Sequence, residues 1–221
     1  MKLVLFDCDG TLVDSHHNIA TAMRQAFEAV GVPYPGDEAT RRVIGLSLPE
    51  AIRPLAPDAC PEMWDRLSDA YREAFFALRQ QPDFHEPLFP GAREAIEALA
   101  ERDDVLLGIA TGKARRGLEV LLDRFGLRDF FVTTQTADDA PSKPHPGMVL
   151  RAIEETGADP TRTVLVGDTT HDMLMAANAG TRGLGVEWGY HPPDELRRAG
   201  AREIASRFND VPPLVEKVIQ P

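Results

Sequence analysis

Leu3-Val4-Leu5-Phe6-Asp7-Cys8-Asp9-Gly10-Thr11 decides how this chain is read. Four apolar residues in a row suit a strand covered on both faces, as in a parallel sheet. The run then ends abruptly in two aspartates that alternate along an extended backbone, and Gly10 permits a sharp turn after them. Cys8 between them is expected to point the opposite way, into the core.

Similar short runs recur downstream: Val105–Ala110, Phe130-Phe131-Val132-Thr133, Thr163-Val164-Leu165-Val166 and Gly183-Leu184-Gly185-Val186. Helical periodicity fills the gaps. Ile96 and Leu99 follow Pro90-Gly91, Leu118, Leu121, Leu122 and Phe125 run up to Gly126, and Met148, Val149, Ala152 and Ile153 run up to Gly157. Glycine just past a helix end suits the left-handed cap. Alternating strands and helices predict an α/β fold, a doubly wound and mainly parallel sheet with right-handed crossovers.

Residues 15 to 85 break this rhythm and read as nearly all helix. Ile19, Met23, Phe27 and Val30 share one face, and Trp64, Leu67, Tyr71 and Phe75 share another. The expected organisation is an α/β core over 1–14 and 86–221 with an inserted helical subdomain over 15–85. At roughly 150 residues per domain, 221 residues accommodate one domain with such an insert.

The composition, 43% hydrophobic and 27% charged, is that of an ordinary globular protein. A formal net charge of −11 disfavours broad nucleic-acid binding, yet leaves room for a small anionic substrate at a locally cationic site. No apolar stretch approaches the roughly 20 residues of a membrane span. Two aspartates cut the N-terminal apolar run too early for a cleavable signal, and Cys8 and Cys60 make no framework of disulfides, so a cytoplasmic location is expected.

In open α/β sheets ligands sit beyond the carboxyl ends of the strands. The polar residues there are Asp7 and Asp9, then Thr111-Gly112-Lys113, then Lys143-Pro144-His145-Pro146, then Gly167-Asp168-Thr169-Thr170-His171-Asp172. Carboxylates facing one point repel unless a cation sits between them, and magnesium takes such hard oxygen ligands. Other readings fail. Gly108–Lys113 has one residue too few between its glycines for a P-loop, and Ala114 stands where Ser or Thr is needed. No Gly-x-Ser-x-Gly elbow is present, and the six histidines lack zinc-site spacing.

Together these motifs resemble the haloacid dehalogenase-like superfamily of phosphohydrolases, in the branch similar to phosphoglycolate phosphatase. Asp-x-Asp-Gly-Thr is met by Asp7, Asp9, Gly10 and Thr11; a strand-ending hydroxyl by Thr111; Lys-Pro-x-Pro by Lys143, Pro144 and Pro146; and Gly-Asp-x-x-x-Asp by Gly167, Asp168 and Asp172. Any one motif is weak, while four in order over residues 7 to 172 are specific. The helical insert matches the cap of this branch. The resemblance implies a magnesium-dependent phosphatase acting on a small-molecule phosphate ester, with phosphoglycolate as the family-level substrate. It implies Asp7 as nucleophile and Asp9 as acid and base. Asp7, the Asp9 main-chain carbonyl and Asp168 would hold Mg²⁺. Thr111, the Gly112 amide and Lys143 would bind phosphate, and Asp172 would orient Lys143 or a metal-bound water. Relatives that cleave carbon–halogen or carbon–phosphorus bonds lack an aspartate in the Asp9 slot. The alternatives are a phosphomutase-type phosphotransferase, which the cap would decide, and a non-catalytic phosphate-binding module. No nucleic-acid or membrane partner is expected, and monomer and homodimer are equally compatible with the sequence.

In the insert, Arg42 and Ser47 are the candidates for reading the leaving group, with Arg41 beside them. His171 is expected to be scaffold, and His16, His17 and His145 surface residues. Trp188 either lines the entrance between cap and core or only packs.

Overall fold

A computed structural model describes residues 1–220. The chain opens with β1 (Lys2–Phe6) and then forms four helices, α1 (His16–Val30), α2 (Asp37–Val43), α3 (Leu48–Leu55) and α4 (Pro61–Arg79). After α5 (Ala92–Ala100), strands and helices alternate: β2 (Val105–Ala110), α6 (Arg115–Phe125), β3 (Thr133–Gln135), α7 (Gly147–Thr156), β4 (Thr163–Gly167), α8 (Thr170–Asn178), β5 (Arg182–Val186), α9 (Pro193–Arg198), β6 (Ala201–Ala205) and α10 (Val211–Ile219).

Among the described residues, the strands form one six-stranded sheet in the order β3-β2-β1-β4-β5-β6, and every pairing is parallel. β1 lies at its centre with all five residues buried. Its pleat divides them: Val4 and Phe6 enter one core with Ile96, Leu118 and Val215, while Leu3 and Leu5 enter the other with Met148 and Leu165. Cys8 continues the first set and is fully buried, as the alternation predicts. Burying these large apolar side chains contributes roughly 1.5–3 kcal/mol each before chain entropy is counted. That is why the apolar run holds the centre of the sheet rather than an edge.

The chain builds outward from β1 through β2 to β3, then returns to β4 on its other side. The winding direction therefore reverses between β1 and β4, the topological switch where doubly wound sheets bind ligands. Asp7 leaves β1 and Asp168 leaves β4 at this point.

Helices α1 to α4 pack on a separate core that includes Met23, Phe27, Ile52, Leu55 and Leu67. The chain leaves the sheet and returns to it side by side. The Asp14 amide donates to Pro87 O at 2.9 Å, and the Phe89 amide donates to Leu12 O at 2.9 Å.

One local expectation changes, and one strand lies where the sequence offered no apolar run. Phe130–Thr133 is not a strand: Arg128–Phe130 form a 3-10 turn and β3 starts only at Thr133. Phe131 instead packs edge-on against Phe6 with ring centroids 6.5 Å apart, while Val132 faces solvent. The aromatic pair anchors the turn after α6 rather than extending the ladder. β6 carries no apolar run; its Arg202 and Glu203 suit an edge strand, where charge discourages pairing with another chain.

Candidate active site

Four strand ends converge as the topology requires. Asp7 is fully buried, and Lys143 Nζ lies 2.7 Å from its Oδ1. The same ammonium donates to Asp172 Oδ1 at 2.6 Å. Asp172 spends its other oxygen locally: Oδ2 accepts from the Thr169 amide at 3.0 Å and from Thr169 Oγ1 at 2.6 Å, closing the capping box that starts α8. Asp168 accepts from Thr11 Oγ1 at 2.8 Å and from the Tyr190 amide at 2.9 Å. Asp7 differs from both, because neither of its carboxylate oxygens has a hydrogen bond of normal geometry. Its contact with Lys143 is a close ion pair at Oδ1, and Oδ2 has no partner among the described residues.

Gly10 is required where it stands. Its φ is +88°, and a Cβ there would lie 2.3 Å from Asp168 Oδ2 and 2.6 Å from Tyr190 Cε2. The turn after Asp9 thus lies directly against the Asp168 carboxylate.

The charges do not balance. Carboxylate oxygens of Asp7, Asp168 and Asp172 lie within 4.8 Å of one another, all buried, with Lys143 as the ammonium among them. Burial pushes the Asp7 carboxyl up to about 7; Lys143 opposes the rise, and Asp172 and Asp9 add to it. Burial, with Asp172 and Asp7, raises Asp168 well above the usual carboxylate range. Burial disfavours the Lys143 ammonium, but Asp172 and Asp7 outweigh it and hold its pKa above normal. A hard divalent cation fits this set. It would find acceptor-only oxygens, two of them on Asp7 without hydrogen bonds, and its charge would oppose the upward shifts.

Thr111 follows β2 and is buried, with its hydroxyl accepting from the Lys113 amide at 3.2 Å. The register of Phe6 beside Ile109 brings it to the same sheet edge as Asp7. Gly112 touches the helical block: a Cβ there would meet Gly45 O at 2.4 Å and Leu46 O at 2.6 Å. Asp9 lies beside a second cation. Its Oδ1 accepts from Ser15 Oγ at 2.7 Å and lies 3.0 Å from Lys113 Nζ. Lys113 also faces buried Glu86 at 3.8 Å, and the Ser15 hydroxyl lies 3.3 Å from Tyr190 Oη. Burial disfavours the Lys113 charge, yet Asp9 and Glu86 raise its pKa above normal. Burial pushes the Cys8 thiol up, which suits packing and not nucleophilic chemistry.

A cavity of about 520 Å³ opens on the Asp9 side, between the helical block and the sheet. Ser47 lines it, and its amide donates to Ser142 Oγ at 2.8 Å. Arg42 does not. Its guanidinium turns outward to Glu195 at 2.7 Å, while Arg41 donates to Gly189 O at 2.9 Å. Both arginines fasten the block to the segment after β5, and the Arg42 guanidinium, expected to read a leaving group, here lies outside the cavity lining. Trp188 packs at 4.5 Å on Phe208 and donates to Thr11 O, which makes it a strut under the first turn. His145 and His17 are exposed, but His16 is half-buried against Tyr190. His171 lies 3.4 Å from Arg42 O and belongs to the scaffold.

The family model for haloacid dehalogenase-like hydrolases matches residues 4–186. The chain belongs to this family. It is 38% identical to a probable phosphatase IndB of Dickeya dadantii over 95% of its length and 91% of that protein. It is 33% identical to a phosphoglycolate phosphatase of Vibrio vulnificus, covering 86% of each. A crystal structure of a hydrolase from Pseudomonas syringae superposes with a TM-score of 0.86 at 28% identity, covering 99% of both chains. The protein is thus a phosphatase of the haloacid dehalogenase-like family. Among the described residues, no helix is long and apolar enough to cross a membrane.

Sequence reasoning singled out Asp7, Asp9, Thr111, Gly112, Lys143, Asp168 and Asp172, and the fold brings them to one sheet edge. It passed over Ser15, Glu86 and Tyr190 and gave Lys113 no role. Only Lys113 carried a signal, as a lysine directly after a strand-end hydroxyl and glycine.

Proposed function

We propose that this protein is a magnesium-dependent phosphomonoester hydrolase that works through a phospho-aspartate on Asp7, with the helices between residues 15 and 85 acting as a cap. The observation that carries the reading is the Asp7 carboxylate: fully buried, free of well-formed hydrogen bonds, and 2.7 Å from Lys143.

In this reading Asp7 attacks phosphorus in line with the ester oxygen. A carboxyl–phosphorus bond forms as the ester phosphorus–oxygen bond breaks. Asp9, positioned by Ser15 and Lys113, gives its proton to the departing oxygen. Asp9 then takes a proton from water, which hydrolyses the acyl phosphate and restores Asp7. Lys143, Thr111 and the Gly112 amide hold the phosphoryl oxygens with charge-assisted hydrogen bonds. Asp172 holds Lys143 in place through Oδ1 while Thr169 fixes Oδ2. Asp7, Asp168 and the Asp9 main-chain carbonyl would hold Mg²⁺, which supplies charge neutralisation so that two anions approach. The similarity to phosphoglycolate phosphatases makes 2-phosphoglycolate the first metabolite to test.

The test is phosphate release from para-nitrophenyl phosphate, with and without magnesium, by wild type and Asp7→Asn. Wild type should require magnesium. The variant should remain folded and lose about 10⁴-fold or more in turnover, as removal of a nucleophile does elsewhere. Turnover retained by a folded Asp7→Asn variant would exclude the mechanism.

A further inference from the structure

The cavity on the Asp9 side has more space and more charge than a two-carbon leaving group needs. Asp9 lines it and Asp7 does not, so it is the space into which the departing alcohol projects under the reading above. Its volume of about 520 Å³ lies within the roughly 300–1,000 Å³ typical of sites that enclose drug-sized ligands. One wall is aromatic: Tyr71 and Phe75 sit with centroids 5.8 Å apart and planes tilted by 32°. Ile44, Leu46 and Met23 continue the apolar surface.

Around this apolar chamber stand cations, although the chain carries a net charge of −11. Lys113 is committed to Asp9 and Glu86, and Arg72 to Asp69. Arg79 and Arg116 are not committed. Arg79 lies 4.9 Å from the Phe75 centroid and Arg116 lies 5.8 Å from the Phe76 centroid. Neither meets a carboxylate among the described residues within ion-pair distance, whereas Arg41 and Arg42 nearby are both spent on holding the block to the sheet. Asp138, the other lining carboxylate, accepts from the Arg115 amide. A guanidinium stacked on an aromatic ring keeps its in-plane N–H donors free for an oxyanion.

We infer that the substrate is a phosphomonoester whose leaving group has a planar apolar body and carries a second anionic group at the end remote from the scissile phosphate, read by Arg79 and Arg116. This inference rests on the phosphatase reading and narrows its substrate class away from phosphoglycolate. The body lies along Tyr71 and Phe75, its bridging oxygen meets Asp9, and its far anion takes the two free guanidinium groups.

The experiment compares kcat/KM for phenyl phosphate, 4-(carboxymethyl)phenyl phosphate and 2-phosphoglycolate, in wild type, Arg79→Gln and Arg116→Gln. The methylene insulates the carboxylate from the phenol oxygen, so the two aryl esters have closely similar leaving groups and differ chiefly in remote charge. Wild type should favour the carboxylated ester by roughly tenfold or more, the size expected of hydrogen bonds to a charged group. The ratio should fall toward one in at least one variant, through KM. Equal efficiency for the two aryl esters in wild type, an unchanged ratio in both variants, or a preference for 2-phosphoglycolate overturns the inference. Binding of the product 4-hydroxyphenylacetate, measured against phenol by calorimetry, gives a readout independent of turnover. It should be tighter than phenol in wild type and lose that advantage in the variants. Absence of hydrolysis of all three esters would count against the phosphatase reading, while the binding comparison would still decide the charge preference.

Discussion

Replacing Lys143 by methionine keeps the length of the side chain and deletes the ammonium that lies 2.7 Å from Asp7 and 2.6 Å from Asp172. At an effective dielectric of about 20, each contact has a gross attraction of about 6 kcal/mol, and desolvation of the three groups offsets much of it. Breaking a buried ion pair by removing one partner costs about 3–5 kcal/mol net. For a chain of this length, about 2–4 °C in Tm accompanies each kcal/mol, so the variant should melt about 6–20 °C below wild type in magnesium-free buffer.

The loss should depend on pH, and its sign follows from the Asp7 carboxyl. In wild type this group already titrates at about 7, above its ordinary value of 3.8, so stability declines as pH rises between those values. Without Lys143 its folded pKa rises further, and the folded state goes on losing stability above pH 7 where wild type has levelled off. At about pH 5.5 a proton on Asp7 takes over part of the work of the missing cation, and the Tm deficit should be smaller than at about pH 8.5. Differential scanning calorimetry at both pH values, with chelator present, measures this directly. A deficit that is the same at both values, or smaller than about 2 °C, would refute the coupling of Lys143 to Asp7.

Gly112→Ala should damage both stability and turnover, because its Cβ would press on main-chain oxygens of Gly45 and Leu46 at 2.4 and 2.6 Å. Overpacking of this kind costs about 1–3 kcal/mol, and a shift of about 1 Å in the cap loop can lower kcat/KM about 10²-fold; thermal melts and steady-state kinetics test both. His191 Nδ1 accepts from the Thr170 amide at 3.1 Å, which requires that nitrogen to be unprotonated, and its Nε2 meets Arg42 O at 3.2 Å. Burial, with Arg42 and His171, lowers its pKa to about 4, so the stability it contributes is complete above about 6.5 and is lost as pH falls from there toward 4. His191→Gln should therefore show a flatter decline of Tm than wild type across that window, and parallel declines would remove His191 as a source of acid sensitivity.

The sheet was legible because burial on both faces demands continuous apolar runs. Leu3–Phe6, Val105–Ala110 and Thr163–Val166 could hardly be anything else, and the polar residues after each run fell on one edge by topology alone. Edge strands escape this logic. β6 reads Ala-Arg-Glu-Ile-Ala and needs no apolar run, and Phe130-Phe131 resembles a strand while serving as a turn anchor. The orientation of a long side chain is equally invisible. Arg42 and Arg79 are alike in sequence, yet one turns outward to Glu195 and the other stacks over Phe75 at the cavity. Glu86 lies in a proline-flanked return segment, and only the antiparallel pairing of the chain's exit and return at Val13 and Leu88 brings it to Lys113.

Asp168 and Asp172 come from a single motif and are interchangeable as letters, but the structure gives them different work. Asp172 has both oxygens engaged, one by the Lys143 ammonium and one by the Thr169 amide and hydroxyl. Its charge is largely answered, and under the proposed mechanism its effect would reach the reaction through Lys143. Asp168 meets only neutral donors, the Thr11 hydroxyl and the Tyr190 amide, so its charge remains uncompensated beside Asp7. A phosphate ester arriving at this edge would add further negative charge to a buried and already acidic pocket. With one ammonium among three carboxylates, the protein's own charges do not offset that cost, and protonating Asp7 would remove the nucleophile of the proposed mechanism. The excess is concentrated between Asp7 and Asp168, at the switch between β1 and β4. A divalent cation held there would relieve the repulsion and keep Asp7 ionised, so the same imbalance that destabilises the free carboxylates would provide the affinity for metal.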